Sequence, residues 1–365
     1  MLAPRAGGTL LGEPGAPQRT VFLVDDRGPT FSISFEIPLA DQFSGGARAG
    51  LVYSQGELAA LVEAGRGPDV LAAIAGFQPQ TVVFSRYGGP LYDQILDWAK
   101  PRRVKTVFHI DDNLFDLPPD LPAAKRKAHL APLVVGCREA LARRADLVYC
   151  STKPLEDFMR GRFPAARTFS GIYCPYPGVG RAKSLNSSKT LGFMGTISHI
   201  RDLKVVLPSL LRFLSEHPDW RFESIGDLAE IRWPPAVRRQ VLATPAVRGY
   251  RRFREMLNTK DWVVGLAPLV KDEFNRCRSA TKFVEYSAMG AVTVASRVEP
   301  YREALEAGAA VSCDELDADK LFRLLGDRVR LERVHTAARE FCERRYSTAV
   351  LARQLDLVLA PHGPS

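Results

Sequence analysis

Twice along this chain, short β-branched and aromatic runs alternate with longer segments of helical periodicity, and that pattern limits the fold more than any other feature. In the first series the expected strands are Thr20–Asp25, Leu51–Tyr53, Thr81–Arg86, Lys105–Ile110, Asp146–Ser151 and Thr168–Tyr173. Helical segments fall between them at Gly56–Ala64, Asp69–Gly76, Pro90–Lys100, Ala124–Arg144 and Pro154–Arg162, with a further helix near Ile37–Phe43. Strands spaced by helices in this way predict a parallel sheet covered on both faces. Composition then shifts: Cys174 to Lys189 is rich in Pro, Gly and Ser and reads as a linker. A second series follows, with strands near Thr190–Gly195, Arg221–Ile225, Val247–Tyr250, Asp261–Ala267, Ala291–Ser296 and Ala309–Cys313. At 365 residues the chain has the length of two domains. The expected organisation is a loose tail over 1–18, a first α/β domain over 19–175, a linker over 176–189 and a second over 190–345.

Doubly wound sheets bind ligands at the carboxyl ends of their strands. Chemistry-bearing residues collect at those ends here: Asp25, Arg86, His109, Asp111, Asp112, Gly195, His199 and the loop from Phe274 to Arg278. With the two domains facing each other, these would line a shared cleft.

The stretch Phe274 to Ser296 carries the most specific signal. Ser279 is a good N-cap for a helix running through Met289, and Gly290 stands where a helix end takes positive φ. Lys282 falls in the first turn, where a cation opposes the macrodipole at about 0.3–1 kcal/mol unless an anion binds there. Glu285, one turn on, shares its face. The pair suits a phosphate and a neighbouring sugar diol; the plainer reading, which spacing alone favours, is an intrahelical ion pair on a solvated face. In Leu191 to Asp202, Gly195 permits close backbone approach, and His199, Arg201 or Lys204 can meet phosphate oxygens. The plainer reading is that Ser198 or His199 caps a helix. Asp111 and Asp112 suit a metal, acid–base work, sugar hydroxyls or simple capping. His109 reads as a substrate contact or a satisfied buried histidine, and Arg86 as an anion clamp or an ordinary ion pair with Asp111 or Glu285.

Net charge is +9, favouring nucleotides, anionic lipid or nucleic acid as partners, but the basic residues are scattered. Helix-turn-helix, zinc and RNP motifs are missing from the sequence, which argues against specific nucleic-acid binding. The six cysteines lack metal-ligand spacing and read as reduced thiols, pointing to a cytoplasmic protein. No apolar run reaches the ~18 residues of a membrane span.

Taken together these motifs resemble the retaining glycosyltransferases of the GT-B fold, in the broad glycosyl transferases group 1 family, from about residue 20 onward. The segment from Ala267-Pro-Leu to Ser296 is similar to that family's donor-site signature. Arg86 with Asp111-Asp112-Asn-Leu-Phe-Asp-Leu-Pro, and Gly195 to Asp202, resemble one branch of it. The resemblance implies two Rossmann-like domains across a cleft, the last helix, 346–365, returning to the first. It also implies a nucleotide-diphosphate sugar as donor substrate, retention of configuration, and no cofactor or essential metal. Donor binding would fall to Gly195, Thr196, His199, Arg201, Arg278, Lys282 and Glu285, with Glu285 on the ribose hydroxyls and Lys282 on the diphosphate. Acceptor-side residues would be Arg86 and Asp25, and catalytic positioning would involve His109, Asp111, Asp112 and Lys282. The implied acceptor is a glycan, a lipid-linked sugar or a protein, in bacterial surface glycan or glycoconjugate synthesis, with peripheral contact at the inner membrane face among the expected partners. Two departures stand out: Cys277 occupies the place of the family's first glutamate, and Thr196 and Asp202 replace an arginine and a lysine of its diphosphate clasp. They keep a second class open, a catalytically inactive sugar-nucleotide-binding or scaffold protein.

Overall fold

The computed structural model describes residues 7–178, 188–195, 199–226, 228, 231–314 and 317–362. The chain forms two units: Met1–Tyr173 with Ala349–Ser365, and Cys174–Thr348.

In the first unit, strands β1 (Thr9–Leu11), β2 (Gln18–Val24), β3 (Arg48–Ser54), β4 (Thr81–Ser85), β5 (Lys105–Ile110), β6 (Leu147–Cys150) and β7 (Thr168–Ser170) make one sheet in the order β1-β3-β2-β4-β5-β6-β7. All pairings are parallel except β1 with β3. Residues 9–11 therefore form an edge strand where a loose tail is expected from the Gly, Pro and Ala around them. Central strands β2 and β4 are buried along nearly their whole length, as a sheet covered on both faces requires. The chain runs from β2 out to β3 and back across to β4, so the order reverses between β2 and β4. That reversal opens a crevice at the strands' carboxyl ends.

The segment between β2 and β3 differs from expectation. A turn of helix at Pro29–Phe31 continues into a π-turn at Ser32–Glu36, and a separate helix follows at Ala40–Ser44. The wide turn presents Phe35 to the core beside Phe22 and Phe31. The long helix expected over Ala124–Arg144 is two helices, Ala123–His129 and Pro132–Arg144. Pro132 lacks the N–H that an unbroken helix needs and starts a new one at its first position. The final helix, Thr348–Leu359, packs Leu355, Val358 and Leu359 into the same core as Phe22 and Val107. Its last carbonyl, on Leu359, accepts from Thr81 Oγ1 at 2.9 Å.

The second unit is a six-stranded parallel sheet: β8 (Thr190–Met194), β9 (Arg221–Ile225), β10 (Val241–Thr244), β11 (Val264–Ala267), β12 (Val292–Ala295) and β13 (Val311–Ser312), in the order β10-β9-β8-β11-β12-β13. Its third strand lies earlier than expected. Val241–Thr244 pairs with β9, whereas Val247 is in a loop and Tyr250 opens a helix behind Gly249. As an edge strand with an exposed face, Val-Leu-Ala-Thr gives little hydrophobic signal. Strands β8 and β11 pair only through Leu191 and Gly192 before diverging at the order reversal. The Tyr286 hydroxyl bridges them there, accepting from Met194 N–H at 3.0 Å and donating to the Leu266 carbonyl at 3.0 Å. A side chain at Gly265 would overlap the Tyr286 ring, so this close approach needs glycine.

Residues 179–187 lie outside the described residues, but Cys174 and Tyr176 are buried, and Tyr176 N–H donates to the Tyr346 carbonyl at 2.6 Å. All six cysteines are buried thiols outside any disulfide.

Candidate active-site residues

Each unit gathers polar groups at its order reversal. In the first, Arg86 follows β4 with φ of 53°, a left-handed conformation that turns its side chain back over the strand ends. Its Nε is 3.0 Å from Asp25 Oδ2, and its Nη1 is 3.2 Å from Asp111 Oδ1 and 3.6 Å from Asp112 Oδ2. Asp111 also accepts from Thr30 Oγ1 at 2.9 Å and Tyr173 OH at 3.0 Å. Buried Arg138 donates to the Arg86 carbonyl from Nη2 at 3.1 Å and holds the backbone turn. Three carboxylates thus share one guanidinium. Burial works against the Arg86 charge, but Asp111, Asp25 and Asp112 more than offset it and fix the proton. Burial likewise pushes Asp111 up, and the Arg86 charge, His109 and the two hydroxyls bring it below the ordinary value. Asp25 goes the other way: burial raises it to about 6 against the pull of Arg86, whose charge it shares with two other carboxylates.

His109 is the satisfied buried histidine of the two readings. It is 1% exposed, its Nδ1 is 2.9 Å from Ser85 Oγ, and its ring meets Phe35 edge-on at 4.9 Å. Burial lowers its pKa to about 4.

In the second unit Gly195 follows β8, and a Cβ there would lie 2.8 Å from His199 Cβ and 2.9 Å from the Phe193 ring. Glycine is therefore what lets residue 199 fold back against the strand end. His199 Nδ1 is 3.0 Å from Asp202 Oδ2, 3.1 Å from Arg278 Nη1 and 3.2 Å from Lys282 Nζ. Burial, then Lys282 and Arg278, hold its pKa well below the ordinary value, so it is neutral. Asp202 is fully buried and organises the adjoining loop: Oδ1 accepts from Val270 N–H at 3.1 Å and from Asn275 Nδ2 at 3.0 Å. Burial raises its pKa, but His199 and Lys282 bring it down to about 2. Arg201 pairs with Asp272, which itself caps the short helix Glu273–Arg276 through Asn275 N–H. Arg278 lies over the Phe274 ring at 5.0 Å. Thr196 is outside the described residues.

The helix behind this cluster is Thr281–Met289, closed by Gly290 at φ of 85°. Its N-cap is Ala280, not Ser279, and no side chain accepts from its first turn at that position. Ser279 Oγ turns instead to Thr281 Oγ1 at 2.9 Å. Lys282 is 7% and Glu285 3% exposed, which excludes the solvated-face reading of the pair. They also face different neighbours. Glu285 Oε1 accepts from Tyr250 OH and lies 3.8 Å from Cys174 Sγ, and Oε2 is 4.0 Å from Arg254 Nε. Burial raises the Glu285 pKa despite these partners. Cys277 is buried with its thiol 3.7 Å from Glu273 Oε1.

Thr30, Tyr173 and Arg138 in the first unit, and Tyr250, Arg254 and Asp272 in the second, escaped the reading of the sequence. Only Asp272 carried a local sign, as an acceptor three residues before Asn275 at a helix start. The others come from distant elements and are visible only in three dimensions.

The two Rossmann-like units define the GT-B fold. Residues 205–356 match the family described as Glycosyl transferase-like. Sucrose-phosphate synthase from Thermosynechococcus elongatus superposes with a TM-score of 0.60 at 12% identity, over 93% of this chain and 98% of that one. A trehalose-phosphate synthase from Burkholderia xenovorans gives 0.59 at 12% identity, over 94% and 99%. S. aureus TarM gives 0.57 at 12% identity; 76% of this chain matches, spanning only 55% of TarM. No curated protein sequence matches. The chain is thus a GT-B protein with a glycosyl transferase-like C-terminal portion.

Proposed function

We propose that this protein is a retaining glycosyltransferase that moves a sugar from a nucleotide-diphosphate sugar to an acceptor hydroxyl. One observation carries the reading: Arg278 and Lys282 meet a neutral His199, and Arg201 joins them through Asp202 and Asp272, at the carboxyl ends of β8 and β11, beside a helix start without a side-chain cap. Arg201 pairs with Asp272, and Arg278 lies 3.7 Å from Asp202 Oδ2. A diphosphate suits a place where three cations converge, and the Thr281–Met289 helix adds its N–H groups and dipole. In the reaction the bond from the anomeric carbon to the diphosphate oxygen breaks as a bond to the acceptor oxygen forms on the same face. The acceptor proton passes to the departing diphosphate. Lys282 and Arg278 stabilise charge that develops only as the bond breaks, which is the contribution that accelerates the step. Gly195 brings backbone close to the phosphates, and Glu285 serves the ribose hydroxyls.

The acceptor falls to the first unit, where Arg86 with Asp25, Asp111 and Asp112 offers a fixed cation ringed by hydrogen-bond acceptors suited to sugar hydroxyls. A role in bacterial surface glycan or glycoconjugate synthesis on the cytoplasmic side fits that acceptor. Uridine is the first nucleobase to try, because the TarM structure contains UDP and an E. coli trehalose-6-phosphate enzyme is described with UDP-2-fluoro glucose. One observation favours binding without turnover: buried Cys277 supplies no carboxylate where a donor-binding one would stand.

The test is a thermal-shift screen against UDP-, GDP-, ADP-, CMP- and TDP-sugars, followed by assay of nucleoside diphosphate release. A ligand at ~100 times its Kd stabilises by ~2.7 kcal/mol. No shift with any donor overturns the proposal; a shift without turnover supports the binding reading.

A further inference from the structure

The amino-terminal end of the first sheet holds a cavity that the proposed reaction does not use. Strands β5, β6 and β7 are parallel neighbours, and their register brings Lys105, Asp146 and Arg167 together where the strands begin. The last turn of the final helix and the residues after it close over this edge and leave a cavity of about 400 Å³. The length of β5, about 17 Å, separates it from Asp111 and Arg86 at the carboxyl ends.

Lys105 and Arg167 both line the cavity. Lys105 Nζ donates to the Ala360 carbonyl at 3.0 Å, which fixes the ammonium at the wall. Burial, then the nearby Arg167 charge, lowers the Lys105 pKa, and Asp146 offsets part of that. Asp146 is the single carboxylate among the described lining residues, and it is already engaged. Its Oδ2 accepts from Thr106 N–H and Thr106 Oγ1, both at 2.7 Å, and lies 3.4 Å from His362 Nε2. Among the described residues no carboxylate pairs with Arg167. The remaining wall is apolar. Phe169 packs on the edge of the core, Leu357 stands at the rim 72% exposed, and Pro361 lines the side contributed by the chain's closing segment. A few convergent polar groups on an apolar wall, at this volume, are the usual make-up of a small-molecule site.

We infer that this cavity binds a small organic phosphate, with Arg167 and Lys105 on the phosphate and Phe169, Leu357 and Pro361 against a flat or apolar body. A phosphomonoester carries close to two negative charges at neutral pH, which matches two cations better than a carboxylate does, and the guanidinium fork fits its oxygens. The walls come from the strand starts and from residues 357–362, so an occupied site bonds the closing segment to the sheet and stabilises that seam. The site lies within the first unit and does not rest on the glycosyltransferase reading.

The experiment is calorimetric titration of the full chain with phenyl phosphate, inorganic phosphate, benzoate and benzyl alcohol, paired with hydrogen exchange. Wild type binds phenyl phosphate about tenfold tighter than inorganic phosphate, from the apolar area the ring buries. It binds benzoate more weakly than phenyl phosphate, and benzyl alcohol not at all. Phenyl phosphate slows exchange in residues 355–362. Arg167→Ala, at an exposed position, weakens phenyl phosphate by about tenfold or more, the loss of a charge-assisted hydrogen bond. Leu357→Ser weakens phenyl phosphate and leaves inorganic phosphate unchanged. The cations around His199 also attract phosphate, so Lys282→Ala is titrated in parallel and keeps the protection of residues 355–362. Unaltered thermal unfolding of each variant shows that the fold survives. Equal affinity of Arg167→Ala and wild type for phenyl phosphate, or protection confined to the second unit, overturns the inference; benzoate binding tighter than phenyl phosphate overturns the assignment to a phosphate.

Discussion

Arg86 Nε lies 3.0 Å from Asp25 Oδ2, joining the carboxyl ends of β4 and β2 where the strand order of the first sheet reverses. The approach is oblique, and Nε–H has no hydrogen-bond acceptor in line among the described residues. The pairing thus holds position without satisfying Asp25, whose pKa is raised to about 6, chiefly by burial.

This gives an expected pH dependence. Asp25 has a folded pKa of about 6 against an ordinary 3.8, so its contribution to stability is complete below 3.8 and lost as pH rises through about 6. His109 has a folded pKa of about 4 against 6.5, lowered chiefly by burial, so its contribution is complete above 6.5 and lost as pH falls through about 4. The two oppose each other in one window, so Asp25 offsets the loss that His109 brings on acidification. Asp25→Asn removes one of them. The variant should lose stability on acidification by up to about 1.4 kcal/mol per pH unit between those limits. Hydrogen exchange of β4 and β5 amides across that range reads it; a flat profile in the variant contradicts the assignment.

Tyr286→Phe should destabilise the second unit by about 1–3 kcal/mol. It strands a buried N–H on Met194 and removes a donor from the Leu266 carbonyl. Urea unfolding measures the loss, and exchange of the Met194 amide should rise most.

Glu285→Gln should change stability by less than about 1 kcal/mol, because the amide oxygen still accepts from Tyr250 and Cys174. Glu285→Leu, which strands the Tyr250 hydroxyl, should cost about 1–3 kcal/mol. Nucleotide affinity should fall modestly in the Gln variant, since the amide keeps part of the acceptor capacity. Calorimetric titration with UDP separates the two effects.

Fold class was legible because alternating strands and helices leave few topologies, and Gly290 announced its helix end by chemistry that few other residues can supply. Boundaries failed where local signals competed. Ser279 looked like a cap, yet Asp272 starts an unforeseen helix that moves the turn, and Ser279 spends its hydroxyl on Thr281. The polar residues at the strand ends could be named from sequence, but not their partners. Spacing alone put Lys282 with Glu285; burial sends one toward His199 and the other toward Tyr250, on elements 83 and 35 residues away. Thr196, and most of the expected linker, lie outside the described residues.

The central claim is that the cations around His199 hold a departing diphosphate. The most direct measurement is the rate of nucleoside diphosphate release from the best-binding sugar nucleotide, in wild type and in Lys282→Ala. Lys282 is buried beside Arg278 and His199 and helps keep Asp202 ionised, so urea unfolding of the variant is measured alongside to separate a loss of fold from a loss of rate. Release should fall by about a hundred- to a thousandfold, the cost of ~2.7–4 kcal/mol of transition-state stabilisation. A Lys282→Ala protein that releases diphosphate at the wild-type rate would contradict the account.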